Sequence, residues 1–464
     1  MSGLFQGLEI GKRALMTHQL TLSTMGHNVA NVSTPGYTRQ RVLISSAHPL
    51  VTANYTIGNG VTAETIVHVR DLFLTSQYRR ENKSLGEWTY KETALTQIEA
   101  YFAEPNDKSL SDLLDQFWNS WSDLSNNPES TAARSSVISQ AELLTNAFHT
   151  LDRSLSEMQA SVDTEITGRV EQINSLGRQI ANLNRLVVSE ELNGQTANDL
   201  RDQRDLLIDE LSGLVDVSTA EKSNGSTTVY ISGLAIVENA DTFELDTRVT
   251  AGAEQVRHEI IWKGTKTTVK ITGGEVKGLI DVRDATIPAY RSRLDSLAGS
   301  IVRQINALHR TGTGLTGVSG MDFFNSAYTT AGTIQLETAI ANDPNLIAAS
   351  ESGEPGDNVI ALAIADIRNR TIMSSNTATI SEFYTALIGD VGVDTNEAET
   401  LRGNYDVLVQ QITNSREAVQ GVSIDEEMAD MLKAQNAYDA AARVITAIDE
   451  ALETVIQGMG VVGR

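Results

Sequence analysis

The stretch LFQGLEIGKRALMTHQLTLSTMGHNVANVSTPGYT, residues 4–38, carries the pattern on which the fold turns. Leu4, Leu8, Gly11, Leu15, His18, Leu22, Met25 and Val29 fall alternately four and three residues apart. That heptad-type spacing lines all eight along one seam of a helix, and six of them are apolar. The helix is expected to stop near Asn31, because Thr34-Pro35-Gly36 reads as a turn and Pro35 disfavours helix at Thr34. The far end of the chain repeats the device. Ile424, Met428, Met431, Gln435, Tyr438, Ala442, Ile445, Asp449, Leu452, Ile456 and Met459 keep the same spacing, and Ser423 with Glu426 reads as a capping box opening that helix.

Two such seams at the two termini point to each other. Chain ends fray unless they dock, and isolated helices of this kind are marginal in water. Residues 1–50 carry Lys12, Arg13, Arg39 and Arg41 against Glu9, whereas residues 421–464 carry eight acids against Lys433, Arg443 and Arg464. The terminal helices are therefore expected to pair. The assembly seam comprises Leu4, Leu8, Leu15, Leu22, Met25 and Val29 at one end. At the other it comprises Ile424, Met428, Met431, Tyr438, Ile445, Leu452 and Ile456.

Between the ends the texture is mostly helical. From Asp71 to Leu214 long helices are predicted, with Asn127-Pro128-Glu129 reading as a helix start. Leu151, Leu155, Met158, Val162, Ile166, Val170, Ile173, Leu176, Ile180, Leu183 and Val187 form one stripe at helical period. Near Asp216 the pattern changes to the Asn224-Gly225 turn, the β-branched run Thr227–Ile231 and a second hairpin around Lys263-Gly264. Helix returns over Ala289–His309, gives way to Gly- and Asn-rich loops over 311–358, and resumes from Asn358 with breaks around 389–396. The predicted fold is mainly α with a small β insert, a discontinuous multidomain chain. Residues 1–50 plus 421–464 form a terminal-helix coiled coil, 51–215 plus 281–420 a long-helix bundle, and 216–280 an outer β-domain.

Composition narrows the chemistry. The chain has 464 residues with 36 basic against 60 acidic, a net charge of −24 that argues against a broad nucleic-acid-binding face. It has no cysteine, which removes disulfides, thiol nucleophiles and cysteine-ligated metals. Ala14–Thr38 carries no Asp, Glu, Lys or Arg, yet it is too rich in Thr, His, Gln, Ser and Asn to span a membrane. No cleaved leader is expected, since no compact apolar run follows Lys12 and Arg13. Gly312-x-Gly314-x-x-Gly317 matches a dinucleotide-binding spacing but follows a helix rather than a strand. The seven histidines make no ligand pair at helical spacing, and Glu426-Glu427 point to different sides of a helix. No catalytic, cofactor-binding or metal site is expected.

The segment Asn28-Val29-Ala30-Asn31-Val32-Ser33-Thr34-Pro35-Gly36-Tyr37 resembles the signature of the bacterial flagellar axial proteins. Thr38-Arg39-Gln40-Arg41-Val42, Arg70-Asp71-Leu72-Phe73-Leu74, Phe117-Trp118-Asn119-Ser120-Trp121, Gly320-Met321-Asp322-Phe323-Phe324 and the tail Gln435–Arg443 are similar to the hook–filament junction branch of that family. The resemblance implies a structural, non-enzymatic role with terminal helices forming an inner tube, and a family turn at Asn31, Thr34, Pro35, Gly36 and Tyr37. It implies secretion by the flagellar type III export apparatus, an export chaperone on the C-terminal helix, and an extracellular place between hook and filament. Its implied partners are copies of itself in a helical ring or tube, hook protein and the neighbouring junction protein. Neither nucleic acid nor membrane insertion is implied. Another axial protein (the neighbouring junction protein, hook protein or flagellin) is the alternative reading. An enzyme domain grafted on the scaffold is a third, which the short 216–280 insert disfavours.

Overall fold

The computed structural model describes residues 2–51, 56–102, 109–192, 194–251, 256–354 and 356–460. The chain runs out along helices, turns through strands, and comes back along helices. Helix α1 (Ser2–Ala30) leads into a turn and then a β-hairpin. Strand β1 (Gln40–Ser46) pairs antiparallel with β4 (Val61–His68), and β2 (Leu50–Val51) and β3 (Thr56–Ile57) pair at the far end of the ribbon. The sequence reading missed this ribbon, and its boundary at 50/51 falls inside it.

The body follows. Helices α2 (Leu72–Phe102), α3 (Leu110–Asn126), α4 (Thr131–Glu191) and α5 (Asn198–Leu214) precede the strands. Strands β5 (Val217–Glu221), β6 (Thr227–Ile231), β7 (Leu234–Glu238) and β8 (Asp241–Thr242) form one antiparallel sheet in chain order, and β9 (Leu245–Ala251) with β10 (Val256–Trp262) forms a separate hairpin. Helices α6 (Glu275–Asp281), α7 (Ile287–His309), α8 (Thr338–Asn342), α9 (Val359–Ala365) and α10 (Ile380–Gln420) then return to α11 (Ile424–Gly460).

At 61 residues α4 is the spine, about 90 Å long at the α-helical rise. Its predicted stripe from Leu151 to Val187 is buried except at half-buried Leu183. Each such side chain contributes about 1.5–3 kcal/mol by leaving water. The strands lay Val229, Ile231, Ile236, Val237, Leu245, Ile260 and Trp262 into the same apolar core as Ile173, Leu176 and Ile180 of α4. Near the other end of α4, Phe117 and Trp121 of α3 meet Phe323 and Phe324 at tilted or edge-on angles with ring centroids 5.2–6.3 Å apart, and Trp118 lies 5.0 Å from Phe117.

Three local expectations are corrected. Helix α4 starts after Ser130, whose hydroxyl accepts from the Ala133 N–H, whereas Asn127 closes α3 by donating to Asp123 and Leu124. Asn127 is taken up by the end of α3, so the cap of α4 falls to Ser130. Helix α10 runs unbroken through 389–396, because Tyr384, Leu387, Val391 and Ala398 bury one continuous face there and outweigh the flexibility of Gly389 and Gly392. The capping box belongs to α10, where Thr379 and Glu382 exchange hydrogen bonds. The Glu426 carboxylate instead accepts from Arg39 Nη1 at 2.9 Å.

Candidate assembly seam and its elbow

Helices α1 and α11 pack along each other as an antiparallel pair. A Cβ built on Gly7 would lie 2.9 Å from Ile448 Cδ1, and one on Gly11 would lie 2.7 Å from Ile445 Cγ1. A larger residue at either glycine requires the facing isoleucine side chain or the helix itself to shift. The residues of α1 buried in this contact are Gly11, Thr17, Thr24 and Asn28, and those of α11 are Glu427, Ala434 and Ala441. The buried faces are thus small or polar.

The apolar seam residues flank those buried positions, with Ile445 reaching across to Gly11. Leu8, Leu15, Leu22, Met25 and Val29 of α1 are half-buried, as are Met431, Tyr438, Ile445 and Leu452 of α11. Ile424, Met428 and Ile456 are exposed at 49%, 47% and 68%. Phe5, Met16 and Leu20 on α1 and Leu432, Val444 and Val455 on α11 add to the apolar surface. The side chains of Leu4 and Met459 lie outside the described residues.

Where α1 ends, the chain folds into an elbow. Thr34 N–H donates to Asn31 C=O and Tyr37 N–H to Thr34 C=O, giving two successive turns. Gly36 has φ of +77°, a left-handed conformation open to glycine, and a Cβ there would meet Leu206 Cβ at 3.2 Å. Tyr37 sends its hydroxyl to Asn28 Oδ1 at 2.7 Å and sets its ring edge-on to His27. Burial, then the carboxylates of Asp199, Asp202 and Glu427, push the Tyr37 pKa well above its ordinary value, so the phenol stays a donor.

Sequence reasoning assigned no role to the residues at the centre of the elbow. Asn28, only 1% exposed, donates from Nδ2 to Gln40 C=O at 2.9 Å and to Glu427 Oε2 at 3.0 Å. Its Oδ1 accepts from the Gln40 N–H at 3.0 Å. The Glu427 carboxylate, 2% exposed, also accepts from Arg39 Nε at 2.6 Å. Backbone joins backbone as well, since the Arg39 N–H donates to Gln420 C=O at 2.8 Å. The available signals were Asn28 as a polar residue one position from seam residue Val29, and the run of acids 425–427 with no basic residue three or four positions on.

The N-terminal part of α5 receives the other side of the elbow. Asp202 accepts from the Thr38 N–H at 2.8 Å and from the Thr38 hydroxyl, and lies 2.9 Å from His68 Nδ1. Gln40 Nε2 donates to Asp199 at 2.6 Å. Beneath this layer Arg79 of α2 pairs with Asp209 and Asp205, Arg70 pairs with Asp205, and Arg416 of α10 pairs with Asp209. Burial raises the pKa of Asp205, but Arg70 and Arg79 overcome it and hold the carboxyl below its usual range. The joint between coil and body is therefore charged and hydrogen-bonded rather than greasy.

The glycines that imitate a dinucleotide loop pack a corner instead. A Cβ on Gly312 would sit 2.9 Å from Ala348 Cβ, and one on Gly314 would sit 2.7 Å from Asn345 C=O. His258 lies 2.6 Å from Asp163, which also pairs with Arg283, tying β10 to α4. Among the described residues no helix is long and apolar enough to cross a membrane.

Residues 95–324 match the family described as flagellar hook-associated protein FlgK helical domain, and residues 418–458 match flagellar basal body rod FlgEFG protein C-terminal. The flagellar hook-associated protein 1 of Bacillus subtilis is 33% identical over 507 aligned positions, covering the whole of both chains. That of Salmonella typhimurium is 26% identical over 92% of this chain and 95% of its own. That of Escherichia coli is 23% identical over 98% and 100%. The solved flagellar hook junction protein FlgK from Burkholderia pseudomallei aligns with a TM-score of 0.66 at 16% identity, covering 75% of this chain and all of its own, a likeness of fold.

Proposed function

This chain belongs to the flagellar hook-associated protein 1 family, and from that premise we propose how it joins hook to filament. It is a structural component of the bacterial flagellum that assembles with copies of itself at the hook–filament junction. The observation carrying the reading is the antiparallel α1–α11 pair, which covers its small and polar faces and leaves Phe5, Met16, Ile424, Met428 and Ile456 to solvent. Apolar residues left out of an intramolecular contact, flanking it on both helices, suit contacts between subunits.

In this reading residues 1–50 and 421–464 form the inner tube, while the helical body and the strands of 216–280 lie outside it. The subunits meet hook protein on one side and the neighbouring junction protein on the other. The chain travels through the flagellar type III export apparatus to its extracellular place. An export chaperone covers the apolar flank of α11 beforehand, since such a surface invites aggregation when bare. The scaffold has no part in catalysis.

The experiment is a full-length chain carrying Ile424→Ser, Met428→Ser and Ile456→Ser. These side chains are exposed, so the monomer should keep its helix content and solubility. It should fail to occupy hook tips and to support filament growth in cells lacking the native protein. Full motility with the triple variant would overturn the seam.

A further inference from the structure

The motif Arg70-Asp71-Leu72-Phe73-Leu74 is only partly used inside the chain. Arg70 pairs with Asp205 at 2.9 Å, and Asp71 opens α2 by accepting the Phe73 and Leu74 N–H groups at 2.8 and 3.1 Å. Thr75 returns its hydroxyl to Asp71 C=O at 2.9 Å, and Arg79 one turn on binds Asp205 and Asp209. The start of α2 is thus clamped to α5. The side chains of Leu72 and Phe73 take no part in that clamp and stand 65% and 71% exposed. A phenyl ring held out on a fixed turn loses little freedom when it is covered, which is the property of an interface anchor.

The same elbow carries a cavity of about 720 Å³, lined by Val32, Pro35, Gly36, Leu206 and Val419 together with Tyr78. Val32, Leu206 and Val419 are exposed. The charges on its floor are closed on one another, Arg70 on Asp205 and Arg416 on Asp209, and Arg416 Cζ lies 4.7 Å from the Tyr78 ring centroid. An uncharged apolar occupant suits such a lining, and an aromatic ring suits its arginine and tyrosine faces.

Phe73 does not fill the cavity of its own chain. Thr75 and Tyr78 line the cavity, and by helical geometry they stand about 160° and 140° around α2 from Phe73. Ring and cavity therefore look out on opposite flanks of one helix. Two different patches that face apart on one chain meet head to tail between copies, a contact that repeats in one direction as a helical assembly does.

We propose that Leu72 and Phe73 of one copy seat in the elbow cavity of the next. The contact rests on the assembly reading and adds to it a docking point outside the terminal coil.

The absence of cysteine makes the contact directly readable in the full-length protein. Ser76 is exposed one turn beyond Phe73, and Ser33 is exposed on the cavity rim. Ser76→Cys and Ser33→Cys chains are produced, separately and together, in cells lacking the native protein, and their flagella are treated with a short thiol-specific cross-linker. The mixed population should give at least tenfold more linked dimer than either chain alone. Phe73→Ser in the otherwise unsubstituted chain should leave the urea midpoint of the monomer unchanged and cut the fraction of hook tips occupied at least tenfold. Cysteine chains at hook tips with no excess of dimer in the mixture would overturn the proposal. Equal dimer from one cysteine chain alone would overturn it as well, since that marks a like-with-like contact, and so would undiminished occupancy with Phe73→Ser. Those three results leave the assembly reading standing. Absence of even the unsubstituted chain from hook tips would sink that reading and this contact with it.

Discussion

Along α4 the apolar stripe from Leu151 to Val187 disappears into a core shared with α3, α7 and the strands, whereas along α1 and α11 the corresponding residues stay half or wholly exposed. The periodicity is of the same kind in both regions. What differs is the partner within the chain. Helix α4 is covered by several elements, whereas among the described residues the terminal pair is covered mainly by the other helix and the ribbon β1–β4 beside α1. A stripe at helical spacing therefore announces that a surface will be covered, and leaves open whether the cover belongs to the same molecule.

The sharpest way to break that comparison is to truncate one residue in each region. Ile166→Ala in α4, at a position with no exposure, should cost about 3–4 kcal/mol in urea unfolding. Leu15→Ala on α1, half-buried, should cost at most about 1 kcal/mol in the isolated chain yet impair assembly. Equal losses at both sites would erase the distinction.

A second effect belongs to the body alone. His309 is fully buried, with Nδ1 2.8 Å from Met321 C=O and Nε2 accepting the Ala348 N–H at 2.8 Å, an arrangement of the neutral ring. Burial lowers its pKa to about 4, against a partial opposing pull from the Met321 carbonyl. The unfolded chain binds its proton near pH 6.5, so the contribution is complete above that pH and is lost as pH falls from about 6.5 to about 4. The loss should approach roughly 3 kcal/mol at the lower end. Urea midpoints across that window should fall in the native chain, and His309→Gln should flatten the fall. An equally steep profile in the variant would assign the dependence elsewhere.

Gly11→Val probes the close approach of the ends. With Ile445 Cγ1 only 2.7 Å from the added Cβ, the Ile445 side chain or the helix must shift, at about 1–3 kcal/mol of local destabilisation. Hydrogen exchange should quicken along α1 and α11 while α4 amides keep their protection. The smallest effect belongs to the outward flank: Ile424→Ser should shift monomer stability by no more than about 0.5 kcal/mol. A larger shift would mean that the flank has a partner within the chain.

The sequence made the long helices legible because burial and period agree along them, as at Ile166, Ile173 and Ile180. It made the pairing of the termini legible through the repeat and the charge difference between the two ends. It did not reveal how the elbow closes, because that rests on Asn28, Glu427 and Arg39, residues about 400 positions apart whose hydrogen bonds have no local signature. The ribbon over 40–68 was missed for a related reason. Its strands alternate weakly, and β1 opens on Gln40, whose backbone and side chain serve the elbow. The continuity of α10 across Gly389 and Gly392 came from tertiary burial overriding local propensity.

The elbow also has a mechanical meaning. A domain hung on one strand of chain can swivel about it, so torque leaks away at the joint. Here the coil leaves through two covalent links, residues 31–39 into the ribbon that leads to the body and 421–423 from α10, and the bond from the Arg39 N–H to Gln420 C=O ties them together. Thr38 bolts the first link to Asp202, while Arg39 bridges to Glu426 and Glu427 beyond the second. Twisting the coil against the body would have to wrap the two links around each other and shear those bonds together. The double link makes the elbow a coupling that can carry rotation, where a single link would be a swivel.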